Sequence, residues 1–362
     1  MRIRVLYVIN YIKNGGPSNV IRGIISNLSR EKYDITVLTL FAKSDPVVVN
    51  ELVSGGVRVI HCEKLSRLGC MLGFDSEFRS VVKKNTYDVI HTHGLIPDIL
   101  ASRIRTKAIR ISTIHNNMYD DYPNTYGKLM SSVYIPLHLL ALKHMDACVC
   151  CSRSIQTRMQ NVLPRVLCIR NGVEKKEAKT TISREVLGIP EYATVFIYTG
   201  RLHSSKRTLW MVEQFKETHS ANEYLLVLGK GDEEELCVQA ADNHIKVLGF
   251  QSDPAAYLKI SDVYVSASRS EGFSIAVAEA LSMGLELMVS DIPSHREVFD
   301  IEPDIYIGEV FSATPEGFVA AMNQLRLNHS LERKKRIGAH MPQHLSGKNM
   351  TDQYEMLYQK IK

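Results

Sequence analysis

Two glutamates that lie eight residues apart flank an apolar run in the second half of the chain. The segment that starts at Arg269 reads RSEGFSIAVAEAL, so Glu271 precedes a glycine and Glu279 follows the run. If a helix begins near Gly272, Glu271 lies in the loop before it and Glu279 about two turns inside, roughly 10 Å along the axis. The free N–H groups of a helix N-terminus bind anions, and nearby carboxylates accept hydrogen bonds from hydroxyl groups. The spacing therefore predicts a site for an anionic, hydroxyl-bearing ligand; an amphipathic helix with two solvated acids has the same pattern.

Two loops upstream of this segment carry cations and glycines. Gly200 and Arg201 are separated from Lys206 by a short loop, so both cations can reach one diphosphate, the arginine as a fork and the lysine as a point charge. An exposed basic loop is the alternative. Gly229 and Gly231 end the next apolar run before an acid-rich helix start. Those acids already complement the positive end of the helix and argue against a phosphate there. This turn is therefore interpreted as a helix cap that contacts a base or a ribose.

Near the chain start, Gly15 and Gly16 form a glycine pair before a predicted helix. Paired glycines permit positive φ and close approach of a ligand to the backbone, and Ser18 or Asn19 can cap the helix. A plain turn has the same composition. The pair is therefore a candidate ligand loop only in the context of the other motifs.

Three histidines, His91, His93 and His115, lie at the ends of predicted strands. They could bind zinc, but no nearby acid or thiolate supplies a further ligand by spacing, so no metal is predicted. His115 is the better candidate for polar chemistry. The alternative for His91 and His93 is that they pair with backbone and shape their loop. The cysteines of the run from Ala147 to Cys151 are expected to be core residues.

Short apolar, β-branched runs alternate with amphipathic segments throughout the chain, which predicts parallel sheets with helices on both faces, an α/β doubly wound fold. A polar linker at 171–193 separates two predicted domains, 1–170 and 194–345, and a helix is predicted at 346–362. Ligands of such sheets bind outside the carboxyl ends of the strands, and a cleft between two facing domains is a preferred place for a small molecule. The runs span residues 3–9, 35–40, 57–61, 87–91, 108–114, 147–151 and 166–169, then 194–199, 224–228, 245–248, 263–266 and 287–290.

The charge is unevenly distributed along the 362 residues, whose net charge is +5. Residues 1–180 hold 26 Lys and Arg against 14 Asp and Glu, whereas residues 181–362 hold 18 against 25. A basic half can attract an anionic membrane surface or a phosphorylated substrate. No zinc-finger spacing, RNA-binding aromatic signature or basic heptad is present, so nucleic acid is not an expected partner. Seven cysteines without a CxxC predict neither a disulfide framework nor a zinc ribbon. The apolar run at the start is too short for a signal sequence, and no run approaches the roughly 18 residues of a spanning helix.

Motifs in both halves, taken in order, resemble those of the retaining family-4 glycosyltransferases of the GT-B fold, in particular enzymes of bacterial surface-polysaccharide synthesis. The resemblance covers nearly the whole chain. It rests on Gly15-Gly16, the loops of His93 and His115, the run 147–152, Asn171-Gly172-Val173, Gly200-Arg201-Leu202 with Lys206, Gly229-x-Gly231, Leu248-Gly249-Phe250, Ser268-x-x-Glu271-Gly272-Phe273 with Glu279-Ala280, Ser290-Asp291 and Glu297.

This resemblance implies two facing Rossmann-like domains and a final helix that crosses back to the first. It implies a sugar donor linked to a nucleoside diphosphate, expected to be UDP, on the C-terminal domain and a glycan acceptor on the N-terminal one. Arg201 and Lys206 would neutralise the departing diphosphate, Glu271 would hold sugar hydroxyls and Glu279 the ribose. His115 would lie beside the sugar and is counted with these catalytic residues. Other expected contacts to the sugar donor are Gly15, Gly16, Gly200, Gly229, Gly231, Gly272, Phe273 and Ser274, and expected contacts to the acceptor are His93 and Asn116.

The resemblance also implies retention by a front-face substitution in which the departing phosphate takes the acceptor proton, so neither a protein base, a metal nor a cofactor is expected. No Asp-x-Asp motif is present, which agrees with a metal-independent enzyme. One departure stands at Gly284-Leu285-Glu286-Leu287, where the family usually has Gly-x-Pro-Val; it places an acid in a segment expected near the loop that holds the sugar donor.

The resulting prediction is a transferase that adds a hexose or N-acetylhexosamine to a lipid-linked oligosaccharide or another glycan at the cytoplasmic face of the membrane, with peripheral contact through the basic half. Two alternatives stay open. One is a GT-B sugar-nucleotide epimerase or a phosphorylase. The other is a non-catalytic scaffold that binds sugar nucleotides, against which the joint presence of Arg201, Lys206, Glu271 and Glu279 argues.

Overall fold

The computed structural model describes residues 2–174 and 177–360. The chain divides into two compact units. The first runs to Gly172 and also includes the chain from Gly347 onward, and the second runs from Val173 to Ser346. Two residues of the predicted linker, Lys175 and Lys176, lie outside the described residues.

The first unit is built on a seven-stranded sheet in the order β3-β2-β1-β4-β5-β6-β7. Every neighbouring pair is parallel, so all carboxyl ends lie at one edge. Its strands are β1 (Ile3–Ile9), β2 (Tyr33–Thr39), β3 (Arg58–His61), β4 (Val89–His93), β5 (Ile109–Ile114), β6 (Ala147–Cys150) and β7 (Val166–Cys168). Its first helices are α1 (Gly16–Asn27), α2 (Pro46–Ser54), α3 (Arg67–Leu72), α4 (Ser76–Lys84), α5 (Leu95–Ser102), α6 (Met118–Lys143) and α7 (Arg153–Met159).

The second unit is built on a six-stranded parallel sheet in the order β10-β9-β8-β11-β12-β13. Its strands are β8 (Thr194–Thr199), β9 (Glu223–Leu228), β10 (Ile245–Gly249), β11 (Val263–Ser266), β12 (Glu286–Ser290) and β13 (Gly308–Phe311). Its helices are α8 (Thr208–Thr218), α9 (Glu234–Ala240), α10 (Pro254–Ile260), α11 (Ile275–Ser282), α12 (Pro293–Phe299), α13 (Pro315–Asn328) and α14 (Leu331–Leu345), with a 3₁₀ turn at Glu185–Leu187.

The last helix, α15 (Gly347–Lys360), packs into the first unit against α1. Its predicted apolar stripe is buried at Met350, Tyr354, Leu357 and Tyr358, whereas Ile361 lies outside the described residues. The tyrosines reach the sheet: the Tyr358 hydroxyl lies 3.0 Å from that of Tyr7. Helix α15 therefore contributes side chains to the same core as β1.

The predicted α/β architecture with two Rossmann-like sheets is confirmed. The predicted strands differ from the observed ones by at most two residues at either end, and β13 was not predicted, because its four residues begin with glycine and carry an acid. The strand before His93 was predicted to end at His91. It continues to His93, since both rings are buried rather than placed in a loop. The cysteines of β6 are core residues, as predicted.

The longest helix, α6, has 26 residues with a kink at Gly127. Among the described residues, no helix is both long enough and apolar enough to cross a membrane.

Candidate functional site

The helix that follows Glu271 begins later than the sequence suggested. It starts at Ile275, because Ser274 is the N-cap and its hydroxyl accepts the Val277 N–H at 3.4 Å. The expected start near Gly272 is therefore wrong. Glu279 lies about 6 Å along the axis from the first helical residue, slightly more than one turn inside. Gly272 and Phe273 are buried in the loop between β11 and the helix.

Glu271 is held by two partners at the carboxyl edge of the second sheet. Its Oε1 accepts hydrogen bonds from the Lys206 ammonium and, at 2.8 Å, from the Ser268 hydroxyl. The loops of Lys206 and Glu271 follow β8 and β11, which are neighbours in the sheet. The side chains of Lys206 and Glu271 are only 19% and 16% exposed, because they shield each other from water.

Two arginines that sequence reasoning missed extend the positive charge beside Lys206. Arg207 has a positive φ of 51°. Burial lowers the pKa of its guanidinium, and the nearby charge of Arg269 lowers it further. Arg269 follows β11 and donates its backbone N–H to the Ser205 carbonyl at 2.9 Å. Arg207 is adjacent in sequence to Lys206, which was a usable signal, whereas the approach of Arg269 depends on the pairing of β8 with β11.

Arg201 lies in the same loop as Lys206, and its residue is exposed. No side-chain hydrogen bond or ion pair of Arg201 is found within residues 2–174 and 177–360. Its carbonyl accepts the Tyr198 hydroxyl at 2.9 Å, which fixes the backbone where the loop leaves β8. The guanidinium is thus available to an incoming anion.

The glycines of the second unit are required by packing between loops. A Cβ on Gly229, whose φ is 145°, would lie 1.7 Å from the Gly200 carbonyl oxygen. A Cβ on Gly231 would lie 2.1 Å from the Leu202 carbonyl oxygen. These glycines let the loops after β8 and β9 touch, and their predicted contact with a sugar donor stays a prediction.

A buried histidine, His295, lies close enough to Glu271 to be influenced by its charge. His295, in the first turn of α12, lies with Nδ1 2.9 Å from the Ser290 carbonyl, while its buried Nε2 has no partner among the described residues. Burial lowers the pKa of His295, an effect that the charge of Glu271 opposes. The Ser290 hydroxyl donates to the Ser268 carbonyl at 2.7 Å and so ties β12 to the loop of Glu271. Sequence reasoning did not single out His295.

Glu286 does not lie near that loop. It is the first residue of β12 and is fully buried, so it stands at the amino end of the strand, opposite to the edge of Glu271. Its Oε2 lies 3.3 Å from Nδ1 of His329, and this hydrogen bond raises the pKa of that histidine. The expectation that this acid lies near the sugar-donor loop is wrong, because the replaced position begins the strand rather than following it.

The first unit contains a cavity of about 340 Å³ at the carboxyl edge of its sheet. His115 and Asn116, which follow β5, line it together with aromatic side chains of α6. The lining residues are Asn10, Pro17, Arg67, Leu68, Met71, Gly94, Leu95, Ile96, Thr113, Ile114, His115, Asn116, Met118, Asp121, Tyr122, Tyr126, Tyr134 and His138.

One wall of this cavity is formed by a buried network of hydrogen-bonded side chains that the sequence did not reveal. The Tyr122 hydroxyl lies 2.7 Å from Nδ1 of His138, whose Nε2 lies 2.7 Å from Oδ2 of Asp98. Thr92 on β4 donates to the other oxygen of Asp98. Asp98 and His138 come from α5 and α6, and no motif at this spacing marks them in advance.

The glycine pair lies at the start of α1. Gly15 and Gly16 have φ values of 120° and 35°, and a Cβ on either would meet no atom within 4 Å. Their role is therefore conformational, and the space beside them is open to a ligand. Ser18 and Asn19 do not cap the helix from its first turn; their side chains accept backbone N–H groups of Lys13 and Gly15 and brace the loop.

The three histidines on β4 and just after β5 form hydrogen bonds with protein groups. His91 lies 2.8 Å from the Tyr358 hydroxyl and 2.7 Å from the Thr113 hydroxyl, through its two ring nitrogens. His93 lies 2.8 Å from His115, Nδ1 to Nε2. The alternative in which His91 and His93 pair with backbone is therefore wrong, since the hydrogen-bond partners of both rings are side chains. Within the described parts of the chain, no three His, Cys, Asp or Glu side chains gather as metal ligands would.

Two family models match the chain in consecutive segments. Residues 14–177 match the model described as Glycosyltransferase Family 4, and residues 193–328 match the model described as Glycosyl transferases group 1. The chain belongs to the family-4 glycosyltransferases. The glycosyltransferase is thus an enzyme, as the motifs predicted.

Two curated relatives come from Escherichia coli. The O-antigen biosynthesis glycosyltransferase WclY is 26% identical over 317 residues, which cover 82% of this chain and 83% of that protein. A UDP-Gal:alpha-D-GlcNAc-diphosphoundecaprenol alpha-1,3-galactosyltransferase is 26% identical over 309 residues, 78% of either chain.

Solved structures share the fold of the glycosyltransferase. HepE from Anabaena, solved in complex with UDP and glucose, has a TM-score of 0.80 at 15% identity and covers 99% of this chain and 100% of its own. The lipopolysaccharide outer core galactosyltransferase WaaB has a TM-score of 0.74 at 17% identity, covering 99% of this chain and 100% of its own. At such identities the likeness concerns the fold alone and confirms the GT-B class.

Proposed function

We propose that this glycosyltransferase transfers a hexose or N-acetylhexosamine from a UDP-linked sugar to a lipid-linked glycan in surface-polysaccharide biosynthesis, with retention and without a metal. The observation that carries the proposal is the cationic group around Glu271 at the carboxyl edge of the second sheet. The names of the relatives support the substrate classes, since one acts in O-antigen biosynthesis and another uses UDP-Gal with a diphosphoundecaprenol acceptor.

Lys206 and Arg201 are proposed to neutralise the diphosphate as it leaves. Charge that develops in a transition state is stabilised best by cations that are already in place. Lys206 is oriented by Glu271, and Arg201 has no competing side-chain partner among the described residues. Arg207 and Arg269 add positive potential to the same loops.

Glu271 is proposed to accept hydrogen bonds from hydroxyls of the transferred sugar. Ser268 and Lys206 occupy Oε1, which leaves Oε2 for a ligand. The backbone N–H groups at the start of α11 would bind the distal phosphate, since that helix end carries unpaired N–H groups and positive partial charge. Glu279, on the exposed side of α11, would hold the ribose.

Retention is proposed to follow a front-face substitution. The bond from the anomeric carbon to the phosphate oxygen breaks, and the acceptor oxygen bonds to the same face. The acceptor proton passes to a phosphate oxygen of the leaving group, so no protein base is required. The cations on Lys206 and Arg201 offset the negative charge that collects on that phosphate.

The cavity of the first unit is proposed to receive the glycan acceptor, with Asn116 and His115 in its wall. Its aromatic lining by Tyr122, Tyr126 and Tyr134 suits the apolar faces of a sugar ring, and its polar groups suit hydroxyls.

Peripheral membrane contact is proposed through α6. Beyond the kink at Gly127 the helix carries Lys128 and Lys143 and no acid. In the same stretch Leu129 is 82% and Val133 56% exposed. Exposed apolar side chains together with lysines are typical of helices that lie in a membrane interface.

A thermal-shift screen of sugar nucleotides tests the identity of the sugar donor. A ligand that binds the folded state raises the unfolding temperature according to its affinity. We expect a UDP-sugar to raise the unfolding temperature more than free sugars or ADP-, GDP- and CDP-sugars do. The substitution Glu271→Ala should reduce this increase. Stabilisation by another nucleotide class alone would refute the proposed UDP-linked sugar donor.

A further inference from the structure

His93 and His115 form a direct contact between two imidazole rings. Nδ1 of His93 lies 2.8 Å from Nε2 of His115, and the ring centroids are 5.1 Å apart with an angle of 27° between the ring planes. His93 is on β4 and only 2% exposed, whereas His115 follows β5 and lines the cavity. The buried ring of His93 thus contacts the ring that lines the cavity.

The contact requires one ring nitrogen to donate and the other to accept. Burial lowers the pKa of His93 well below its ordinary value and that of His115 to about 4, so both rings are neutral near pH 7. Each neutral ring carries one N–H and one lone pair. The hydrogen between the two rings is therefore carried either by Nδ1 of His93, which then donates, or by Nε2 of His115, in which case Nδ1 of His93 accepts.

The other nitrogen of His93 decides between them. Its Nε2 is buried and has no hydrogen-bond partner in the described chain. If Nδ1 of His93 accepted, Nε2 would carry an unpaired N–H in the core, a group that is rare and unfavourable in folded proteins. If Nδ1 donates, Nε2 keeps only a lone pair. The second arrangement is the more favourable one.

We propose that His93 is a positioning residue that donates to Nε2 of His115 and holds His115 in its Nδ1–H tautomer. This inference rests on the proposed function only for its consequence in catalysis. The lone pair of His115 is occupied by His93, so the nitrogen left for a ligand in the cavity is an N–H. His115 then binds a hydroxyl or phosphoryl oxygen as a neutral hydrogen-bond donor and cannot take the acceptor proton.

His91 holds the His93 ring from behind. The ring centroids are 4.3 Å apart. Both nitrogens of His91 are engaged, with the Tyr358 and Thr113 hydroxyls, so the ring cannot turn to pair with Nε2 of His93. His93 is thereby fixed between a structural histidine and the cavity.

Long-range ¹H–¹⁵N NMR of the full chain labelled at histidine measures the tautomer directly and needs no substrate. We expect His115 in the Nδ1–H form and His93 also in the Nδ1–H form. In His93→Asn the amide N–H stands near the position of Nδ1, so the tautomer of His115 is retained. In His93→Leu no group donates to Nε2, and the Nε2–H form of His115 grows in.

Transfer kinetics give the second readout. With UDP-galactose and a GlcNAc diphosphate on a short alkyl chain as probes, we expect His93→Leu to lower kcat about 10²-fold, which is the loss expected for one misdirected hydrogen-bond donor. His93→Asn should stay within a few fold of the wild type, and the wild-type kcat should show no dependence on a histidine between about pH 6 and pH 8.

The wild-type spectrum decides the inference even if His93→Leu fails to fold. An Nε2–H form of His115 in the wild type would overturn it, as would identical His115 tautomers in the Leu and Asn variants. If the tautomers follow the expected pattern but neither the wild type nor any variant transfers sugar, the inference stands and the proposed function fails.

Discussion

At the scale of residues, the pair of Lys206 and Glu271 serves two requirements at once. The ammonium must be near the path of the leaving phosphate, and a lysine held by a carboxylate loses less conformational freedom when a ligand arrives. A largely shielded ion pair is weak evidence for stability, because removing both charges from water offsets much of their attraction. The pair is therefore better explained as orientation of two ligand-binding groups than as a structural lock.

Replacing Lys206 should abolish most activity and leave the fold intact. We expect Lys206→Ala to lower kcat about 10²- to 10³-fold, since one preorganised positive group at the leaving phosphate is removed. Lys216→Ala is the matched control, because Lys216 is an exposed residue of α8 whose ammonium donates to the Ala240 carbonyl, away from the site. Steady-state kinetics measure the first effect, and circular dichroism during urea unfolding measures the second.

Glu271→Ala should behave in the same way, with a larger increase of KM for the sugar donor. Loss of cooperative unfolding in either variant, with Lys216→Ala unaffected, would show that the pair is structural.

The sequence predicted these two residues from their loops but not their pairing. Spacing along the chain cannot show that the loops after β8 and β11 are neighbours. After β10, at one edge of the sheet, the chain returns to place β11 beside β8. The same limit explains why Arg269 and His295 were missed. His115, by contrast, follows a strand whose end was correctly predicted, and it lies in a cavity wall.

At the scale of elements, the last helix completes the core of the first unit. Tyr358 contacts Tyr7 on β1 and His91 on β4, and Tyr354 lies 2.8 Å from the Thr113 hydroxyl on β5. The stripe of α15 was predicted from its period, whereas its polar contacts were not, because the tyrosine hydroxyls meet residues more than 200 positions away.

Tyr358→Phe should destabilise the first unit. It leaves Nδ1 of His91 without its partner in a buried environment, and an unmade hydrogen bond there costs about 1–3 kcal/mol. The unfolding of this unit is followed by circular dichroism in urea. Tyr192→Phe is the control, since Tyr192 is 77% exposed. Equal unfolding midpoints for the two variants would contradict the assigned contacts.

The pair of Glu286 and His329 should make the second unit less stable as pH rises. The hydrogen bond to Glu286 raises the pKa of His329 above its ordinary value of 6.5. A raised folded-state pKa contributes stability below the unfolded pKa, and this contribution is lost as pH passes through the folded value. Glu286→Gln should flatten the decline between about pH 6 and pH 8.

Fluorescence of Trp210, the single tryptophan, reports this unit during urea unfolding. A decline of equal size in the Gln variant would refute the linkage. The acid itself was noticed in the sequence, but its place at the amino end of β12 follows only from the strand boundaries.

At the scale of the whole molecule, the basic half of the chain also holds the cavity and the exposed apolar face of α6. The sequence showed the charge but not the exposure, because the period of α6 is broken by Gly127 and by Pro123 and Pro136. The doubly wound architecture was predictable for the opposite reason, since buried strands alternate with helices without interruption.

Sedimentation with phosphatidylglycerol-containing vesicles should recover the enzyme, and Leu129→Ser with Val133→Ser should lower the bound fraction about tenfold or more. Each apolar side chain that leaves water contributes roughly 1.5–3 kcal/mol. The matched controls are Leu327→Ser and Val186→Ser on the second unit, 79% and 80% exposed. Equal binding of both double variants, or binding that salt and anionic lipid do not affect, would exclude α6 as the contact.

The central claim is retaining, metal-independent transfer from a UDP-sugar by the site of Lys206 and Glu271. NMR of the product formed from UDP-α-galactose and a GlcNAc diphosphate on a short alkyl chain, with EDTA present, tests it most directly. We expect an α-linked disaccharide from the wild type and almost none from Lys206→Ala. A β-linked product, transfer that stops in EDTA, or undiminished transfer by Lys206→Ala would contradict the account.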